Sequence, residues 1–171
     1  EIMPSLVGSE MCIRDSAWLQ DHLWILSGLY GCVRPFHAVE PYRLEMGAKL
    51  AVDDARDLYA FWSDKLARAI APAGSNTTIV NLASVEYAKA VLPHLAGDAT
   101  AVTCLFGEGI RNGKPIQRST ASKKARGSMV RWMAENKLED ASELTAFNIG
   151  YRHIPELSDK NTLVFMNAQA Q

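Results

Sequence analysis

The sequence has little cysteine, no long apolar run and almost no net charge over its 171 residues. Its three cysteines, Cys12, Cys32 and Cys104, form no paired motif, which favours a reducing compartment over a disulfide scaffold and predicts a cytoplasmic protein. No stretch approaches the ~18–20 apolar residues that cross a bilayer, so we predict no membrane partner. The first residues also lack the basic and apolar regions of a secretory signal.

Several familiar catalytic and binding motifs are missing as well. The sequence contains neither a Walker loop nor a G-x-G-x-x-G turn, and no motif supports a Cys–His nucleophile. The spacing of Cys32 and His37 matches no zinc motif. The four histidines are dispersed along the chain: His22, His37, His94 and His153. We therefore predict no metal and no cofactor, and we assign no catalytic residue.

The composition is typical of a soluble globular domain, with 48% hydrophobic and 22% charged residues. Strand and helix patterns intermix, and we find no internal repeat or linker. These features predict one α/β or α+β domain in which helices flank a mixed β-sheet. We predict helices over 55–70, 85–91, 120–136 and 140–147, with the end of another at 17–22. We predict strands over 23–26, 77–82, 100–106, 151–154 and 163–166, a strand or an extended segment over 42–50, and a hairpin at Asn112-Gly113.

Residues 26–47 hold more irregular detail than a core requires, because a core needs only the right apolar spacing. The segment combines glycines, prolines, two arginines and a glutamate with aliphatic residues. It reads Leu26-Ser27-Gly28-Leu29-Tyr30-Gly31, then Arg34-Pro35, then Pro41-Tyr42-Arg43-Leu44-Glu45-Met46-Gly47. This combination favours a functional site, and we call residues 26–47 the signature segment.

The signature segment closely resembles that of the bacterial peroxide-stress protein YaaA family. Further blocks occur in the same order: Asp57-Leu58-Tyr59 with Phe61-Trp62, Asn81-Leu82-Ala83-Ser84 with Glu86-Tyr87, and Lys123-Lys124-Ala125-Arg126-Gly127 with Met129 and Arg131. The resemblance covers residues 19–165. It implies an unusual α/β fold and a DNA-binding protein with a positively charged cleft, acting in the oxidative-stress response.

The first residues do not fit this resemblance. Residues 4–16 resemble translated sequencing-adapter sequence, a string that recurs on unrelated metagenomic reading frames. We interpret residues 1–16 as a non-native, adapter-derived segment and 17–171 as the C-terminal portion of a YaaA-like domain; a real, divergent helix is the alternative. Family members carry a considerable N-terminal region, including a segment that resembles a helix-hairpin-helix motif. The resemblance therefore implies a truncated chain.

The predicted helix over 120–136 is the best functional element that the residues alone indicate. Between Arg111 and Arg131 there are seven Lys or Arg residues and no acid, although the formal net charge of the chain is −1. One side of the helix holds Ala125, Met129, Trp132 and Met133. The other holds Lys123, Lys124, Arg126 and Arg131, with Gly127 among them. A basic face with a glycine suits a phosphate backbone, whereas a solvated helix face is the alternative.

The signature segment supplies two more arginines. Glycine-rich turns could bring Arg34 and Arg43 to one cleft, where the planar fork of each guanidinium suits phosphate. Glu45 lies two residues after Arg43, so an Arg–Glu ion pair that supports the turn is the alternative. Tyr30 suits stacking on a base or, equally, filling the core.

Residues 81–86 run from a strand end into a helix N-terminus, where anions bind in α/β sheets. Asn81, Ser84 and Glu86 could form a small pocket with Glu86 as a base. The simpler alternative makes Ser84 the N-cap and places Glu86 in the first helical turn.

The first functional hypothesis is a DNA-binding protein that limits free iron and the damage iron promotes. Lys123, Lys124, Arg126 and Arg131 would form one wall of its cleft, with Arg34 and Arg43 opposite. Such contacts would hold duplex or distorted DNA through its phosphates, without sequence preference. The second hypothesis is an enzyme acting on a nucleotide, nucleobase or damaged DNA, with Glu45 or Glu86 as the acid–base group. A carboxylate with a raised pKa beside the cleft would favour it. Direct iron binding, a third hypothesis, is disfavoured by the dispersed histidines.

Overall fold

A computed structural model of the chain describes residues 13–169. The helices are α1 (Ile13–His22), α2 (Leu58–Trp62), α3 (Lys65–Ile70), α4 (Val85–Ala88) and α5 (Ser119–Asn136). The strands are β1 (Ile25–Ser27), β2 (Gly31–Val33), β3 (Thr78–Asn81), β4 (Thr100–Gly107), β5 (Ile110–Arg111), β6 (Lys114–Pro115), β7 (Tyr151–His153) and β8 (Thr162–Asn167). The predicted adapter-derived segment lies mostly outside the described residues, and its last four residues form the start of α1.

Four strands form the main sheet in the order β3–β4–β8–β7. The first three are parallel, and β7 runs antiparallel to β8, with Tyr151 opposite Asn167. The predicted α/β fold with a mixed sheet is therefore confirmed. Because the carboxyl ends of the parallel strands share an edge with the start of β7, polar residues from distant parts of the chain meet there.

Helix α5 packs on the sheet and forms the first hydrophobic core. Its predicted apolar side is confirmed, since Ala125, Met129 and Met133 are buried. Below it lies a cluster of phenylalanine rings at centroid distances of 5.5–6.2 Å, made of Phe106, Phe147 and Phe165. Trp132 is half-buried and meets the Phe147 ring edge-on at 5.7 Å. This core fixes the rotation of α5 about its axis.

A second core gathers the signature segment with α2 and α3. Met46, Leu58, Leu66 and Val91 are buried in it. A close backbone contact at Gly28 helps to hold this region together. A Cβ on Gly28 would lie 2.7 Å from the carbonyl oxygen of Leu44, so the two halves of the signature segment contact each other through their backbones. Part of the irregular detail in the sequence therefore serves packing.

Three predicted elements differ from the structure. The predicted helix over 55–70 is broken at Ser63, whose φ of 45° ends α2 before α3 begins. Ser and Asp favour caps over helix interiors, and the apolar spacing continues on both sides because both helices face the same core. The predicted helix over 140–147 is a 3₁₀ helix, Ala141–Ala146, and α4 ends at Ala88 instead of residue 91. The 42–50 segment, predicted as a strand or an extended segment, forms no strand.

Substituting Gly31 tests the packing of the second core. Its φ is +75°, and an added Cβ would lie 2.7 Å from the Trp62 ring and 2.9 Å from Leu66 Cδ2. The Trp62 indole cannot easily move, because its Nε1 donates to the Gly28 carbonyl at 3.0 Å. Gly31→Ala should cost roughly 1–2 kcal/mol for the left-handed backbone and about 1–3 kcal/mol more for the clash.

Gly150→Ala is the matched control, since Gly150 has a φ of +69° but open space around it. The Gly150→Ala variant should lose only the free energy of unfolding that the left-handed backbone costs, without the cost of a clash. Urea unfolding of both variants measures the difference, and equal losses of stability would contradict the packing described here.

Candidate nucleic-acid interface

Five cations lie exposed on the surface formed by the β5–β6 hairpin and the start of α5. We call Arg111, Lys114, Arg118, Lys123 and Lys124 the basic face. The hairpin forms at the predicted Asn112-Gly113, where both residues have positive φ. None of the five cations forms an ion pair with another described residue. Arg118 acts on Glu108 from beyond ion-pair distance and lowers the pKa of that carboxyl. The charges of the other four cations are available to an external anion.

Arg131 differs from the basic face although it lies on the same helix. Its Nε donates to Glu135 Oε1 at 2.6 Å, one helical turn along. This i,i+4 pair neutralises much of its charge on the exposed surface. Of the predicted phosphate-binding residues on α5, Arg131 is thus the one that forms an ion pair with a described residue.

Arg126 leaves the exposed side of α5 and lines a cleft. Its side chain is half-buried, and burial lowers the pKa of its guanidinium. It makes no hydrogen bond or ion pair with any residue in the described range. The neighbouring Gly127 also lines the cleft, and nothing lies within 4 Å of where its Cβ would be. The described packing therefore does not require a glycine at 127.

The cleft has a volume of about 630 Å³ and lies between the two cores. It follows the free edge of β3 and is bounded by α1, β1, α4 and α5. Arg34 and Arg126 both line it, as a two-walled cleft would require. The Arg34 guanidinium is engaged, because it stacks 3.7 Å from the Trp24 ring centre and donates to the carbonyls of Asp21 and Leu23.

The other predicted site residues of the signature segment, Tyr30, Arg43 and Glu45, are not among the residues that line this cleft. Arg43 and Glu45 are exposed and do not form the alternative ion pair. Tyr30 is half-buried in a turn held by Ser27, whose Oγ accepts from the Tyr30 amide at 2.9 Å. The Tyr30 ring meets Tyr42 edge-on at 5.5 Å, so it packs within the signature segment.

The structure separates the three residues of the predicted small pocket. Asn81 and Ser84 line the cleft, and Asn81 is buried, with its Nδ2 donating to Thr103 Oγ1 at 3.2 Å. Glu86 instead turns to the signature segment, where its Oε1 accepts from the Gly47 amide at 2.7 Å. Ser84 occupies the N-cap position of α4 without a side-chain capping bond.

One polar network at the edge of the sheet has no local sequence signal. Glu108 accepts from the Tyr151 hydroxyl at 2.5 Å and from Asn167 Nδ2 at 2.9 Å. These two hydrogen bonds lower the pKa of Glu108. Burial, and then Glu108, raises the pKa of Tyr151 to about 12. The three residues of this network are too far apart in the sequence to form a motif. The order of the strands in the sheet brings them together.

Metal or acid–base chemistry would need a cluster of ligands or a carboxylate whose pKa is raised. The described residues contain no group of three or more His, Cys, Asp or Glu side chains placed to hold a metal ion. Burial raises the pKa of Cys32, and that of Cys104 to about 12. The resolved carboxylate shifts, at Glu108 and Asp140, are both downward. Within residues 13–169, no helix has the length and apolar content needed to cross a bilayer.

The Glu108 network should make stability depend on pH. A pKa lowered in the folded state means that the ionised carboxylate stabilises the fold above the ordinary glutamate pKa of about 4.3. That contribution is lost as the pH falls through the folded-state value. Tyr151→Phe removes one donor and should cost about 1 kcal/mol at pH 7 and less near pH 3.5.

Tyr30→Phe is the control, because the Tyr30 hydroxyl pairs with the backbone of Glu40 and with no titrating group. Chemical denaturation at both pH values measures the two losses. A Tyr151→Phe cost that stays constant with pH would contradict a role for the Glu108 charge.

Comparison with known proteins agrees with the family resemblance of the sequence blocks. The family model described as peroxide stress protein YaaA matches residues 9–157. A UPF0246 protein of Desulfitobacterium hafniense is 45% identical over 90% of this chain and 61% of its own length. UPF0246 proteins of Pediococcus pentosaceus and Roseobacter denitrificans are 45% and 43% identical, again over 61% of their lengths. This chain thus spans about three fifths of the relatives it matches, and it belongs to the peroxide stress protein YaaA family.

Proposed function

We propose that this chain acts in the cytoplasmic response to peroxide as a DNA-binding protein that holds phosphates on its basic face. The observation that carries the proposal is the grouping of five exposed cations on one face, none of them in an ion pair with a described residue. A solvated helix face is commonly laced with ion pairs, as Arg131 and Glu135 illustrate on the same helix. Five unpaired cations create a local positive field in a chain of net charge −1.

The surroundings of the basic face suit a phosphate backbone. Lys123 and Lys124 project from the first turns of α5, and the hairpin cations precede them in the chain. Gly127 costs the helix free energy relative to alanine, yet no described neighbour needs the space that it leaves. The phosphate backbone of a polyanion that lies against α5 would occupy the space beside Gly127.

Contacts of this kind bind DNA without reading its sequence, because Lys and Arg side chains meet phosphates and not base edges. The link to peroxide follows from the family name, and protection of DNA from iron-promoted damage is the role we propose for the binding. The enzyme hypothesis gains no support from the site, since neither resolved carboxylate shift is upward and Glu86 is held by the Gly47 amide.

Charge reversal on α5 tests the proposal. Lys123→Glu with Lys124→Glu should weaken duplex DNA binding about tenfold or more near 0.1 M salt, because two phosphate contacts become repulsive. Fluorescence anisotropy with a labelled duplex measures the affinity. The matched control is the double variant Lys49→Glu with Lys160→Glu. Both lysines are exposed and distant in sequence from the basic face, and the two substitutions change the net charge by the same amount.

Equal weakening in the two double variants would mean that only net charge matters. The proposal fails if neither this chain nor the full-length Desulfitobacterium hafniense relative binds duplex DNA while both remain folded.

Substituting Gly127 separates binding from stability. Gly127→Ala should stabilise the protein by about 0.5–1 kcal/mol, because alanine is the better residue inside a helix and no described atom lies near the new Cβ. The same variant should bind duplex DNA more weakly, since the methyl group occupies the side that the phosphates approach. Thermal unfolding and anisotropy measure the two effects, and unchanged or tighter DNA binding would contradict this use of Gly127.

A further inference from the structure

A second, smaller cavity adjoins the cleft and differs from it in charge. Its volume is about 350 Å³, and Arg126 and Asn81 line both cavities. Its polar side chains are two cations, two amides and a hydroxyl: Arg126, Lys89, Asn81, Gln117 and Thr103. No carboxylate is among the described residues that line it. This composition favours an anionic ligand.

Arg126 is the lining residue that an anionic ligand would stabilise most. Its guanidinium is half-buried, and no described residue pairs with it. Withdrawing a cation from water without a counter-charge costs free energy, and a bound phosphate would recover it through charge-assisted hydrogen bonds. Lys89 is exposed at the same cavity and also lacks an ion pair. Two unpaired cations therefore face one small space.

The larger cleft offers a different environment. It is lined mainly by apolar residues, among them Trp18 and Trp24. One indole face of each is covered, by the His22 ring and by the Arg34 guanidinium, and the other face is left for a ligand. Its carboxylates, Asp21, Glu139 and Asp140, line the cleft and not the smaller cavity. The combined space thus has an anion-binding part joined to a largely apolar part with aromatic walls, in the size range of small-ligand sites.

We propose that the two cavities together bind a nucleoside 5′-phosphate. The phosphate would lie in the smaller cavity against Arg126 and Lys89, and the base would lie in the cleft between apolar and indole surfaces. A nucleobase suits this cleft because its flat rings stack on aromatic side chains. The inference goes beyond the proposed function, which places DNA on the basic face and not at Arg126, and it rests on that function only where the nucleotide is part of DNA.

Calorimetric titration of the purified chain with dAMP, deoxyadenosine and inorganic phosphate tests the site. We expect dAMP to bind more tightly than either fragment, since only dAMP fills both cavities. The Arg126→Gln substitution should weaken the affinity of the chain for dAMP at least tenfold. Arg152→Gln, which removes an exposed arginine on β7, should leave dAMP binding unchanged, and circular dichroism confirms that both variants fold.

Each result decides a part of the inference. Deoxyadenosine binding as tightly as dAMP would overturn the phosphate site, and inorganic phosphate binding as tightly as dAMP would overturn the base site. An Arg126→Gln variant that binds dAMP like the unaltered chain would overturn the role of Arg126.

A single-stranded oligonucleotide distinguishes the two sources of the nucleotide. If dAMP binds and its binding depends on Arg126, the ligand is a free nucleotide. If the oligonucleotide binds through Arg126 and dAMP does not bind, the ligand is a nucleotide within DNA. If neither binds while duplex DNA still binds through Lys123 and Lys124, this inference fails and the proposed function stands. If dAMP binds and duplex DNA does not, the proposed function fails alone.

Discussion

The packing of α5 on β4 determines where the cations of this protein lie. Met129 and Ala125 are buried against the sheet, and the Ser122 hydroxyl donates to the Phe106 carbonyl at 3.4 Å. Because successive helical residues are turned by about 100°, this fixed face directs Lys123 and Lys124 to solvent. The same rotation carries Arg126 to the side of the cleft. The core thus sets both the basic face and the half-buried arginine, and an error in core packing would displace both.

The signature segment supports the side of the cleft opposite α5, where Leu26 and Arg34 line it. Gly28 allows the backbone of residues 44–45 to approach, and the Gly47 amide is held by Glu86 from α4. Arg34 stacks on Trp24 and donates to the carbonyl of Asp21, so it supports the wall that α1 and β1 form. The cleft therefore depends on contacts between segments that each contain little regular structure, and both cores must form before it exists.

The sequence predicted those parts of the structure whose signals are local. The periodicity of α5 and the Asn112-Gly113 turn predicted the helix and the hairpin, because each depends on neighbouring residues. The break at Ser63 was missed, since apolar spacing continues through it toward one core. The contact between Glu86 and Gly47 and the Glu108–Tyr151 bond could not be predicted, because strand order and loop packing bring distant residues together. For the same reason the sequence placed Arg126 with Lys123, whereas the structure gives the two cations different surroundings.

The central claim is that the basic face, set by the core, offers several free cations to phosphates. The salt dependence of duplex DNA affinity measures this most directly, because each neutralised phosphate releases condensed counterions. If most of the five cations make contact, the logarithm of the association constant should fall with the logarithm of salt concentration at a slope of about −3 to −4.5. A slope near zero, with binding retained, would show that phosphate contacts do not hold the DNA and would contradict the account.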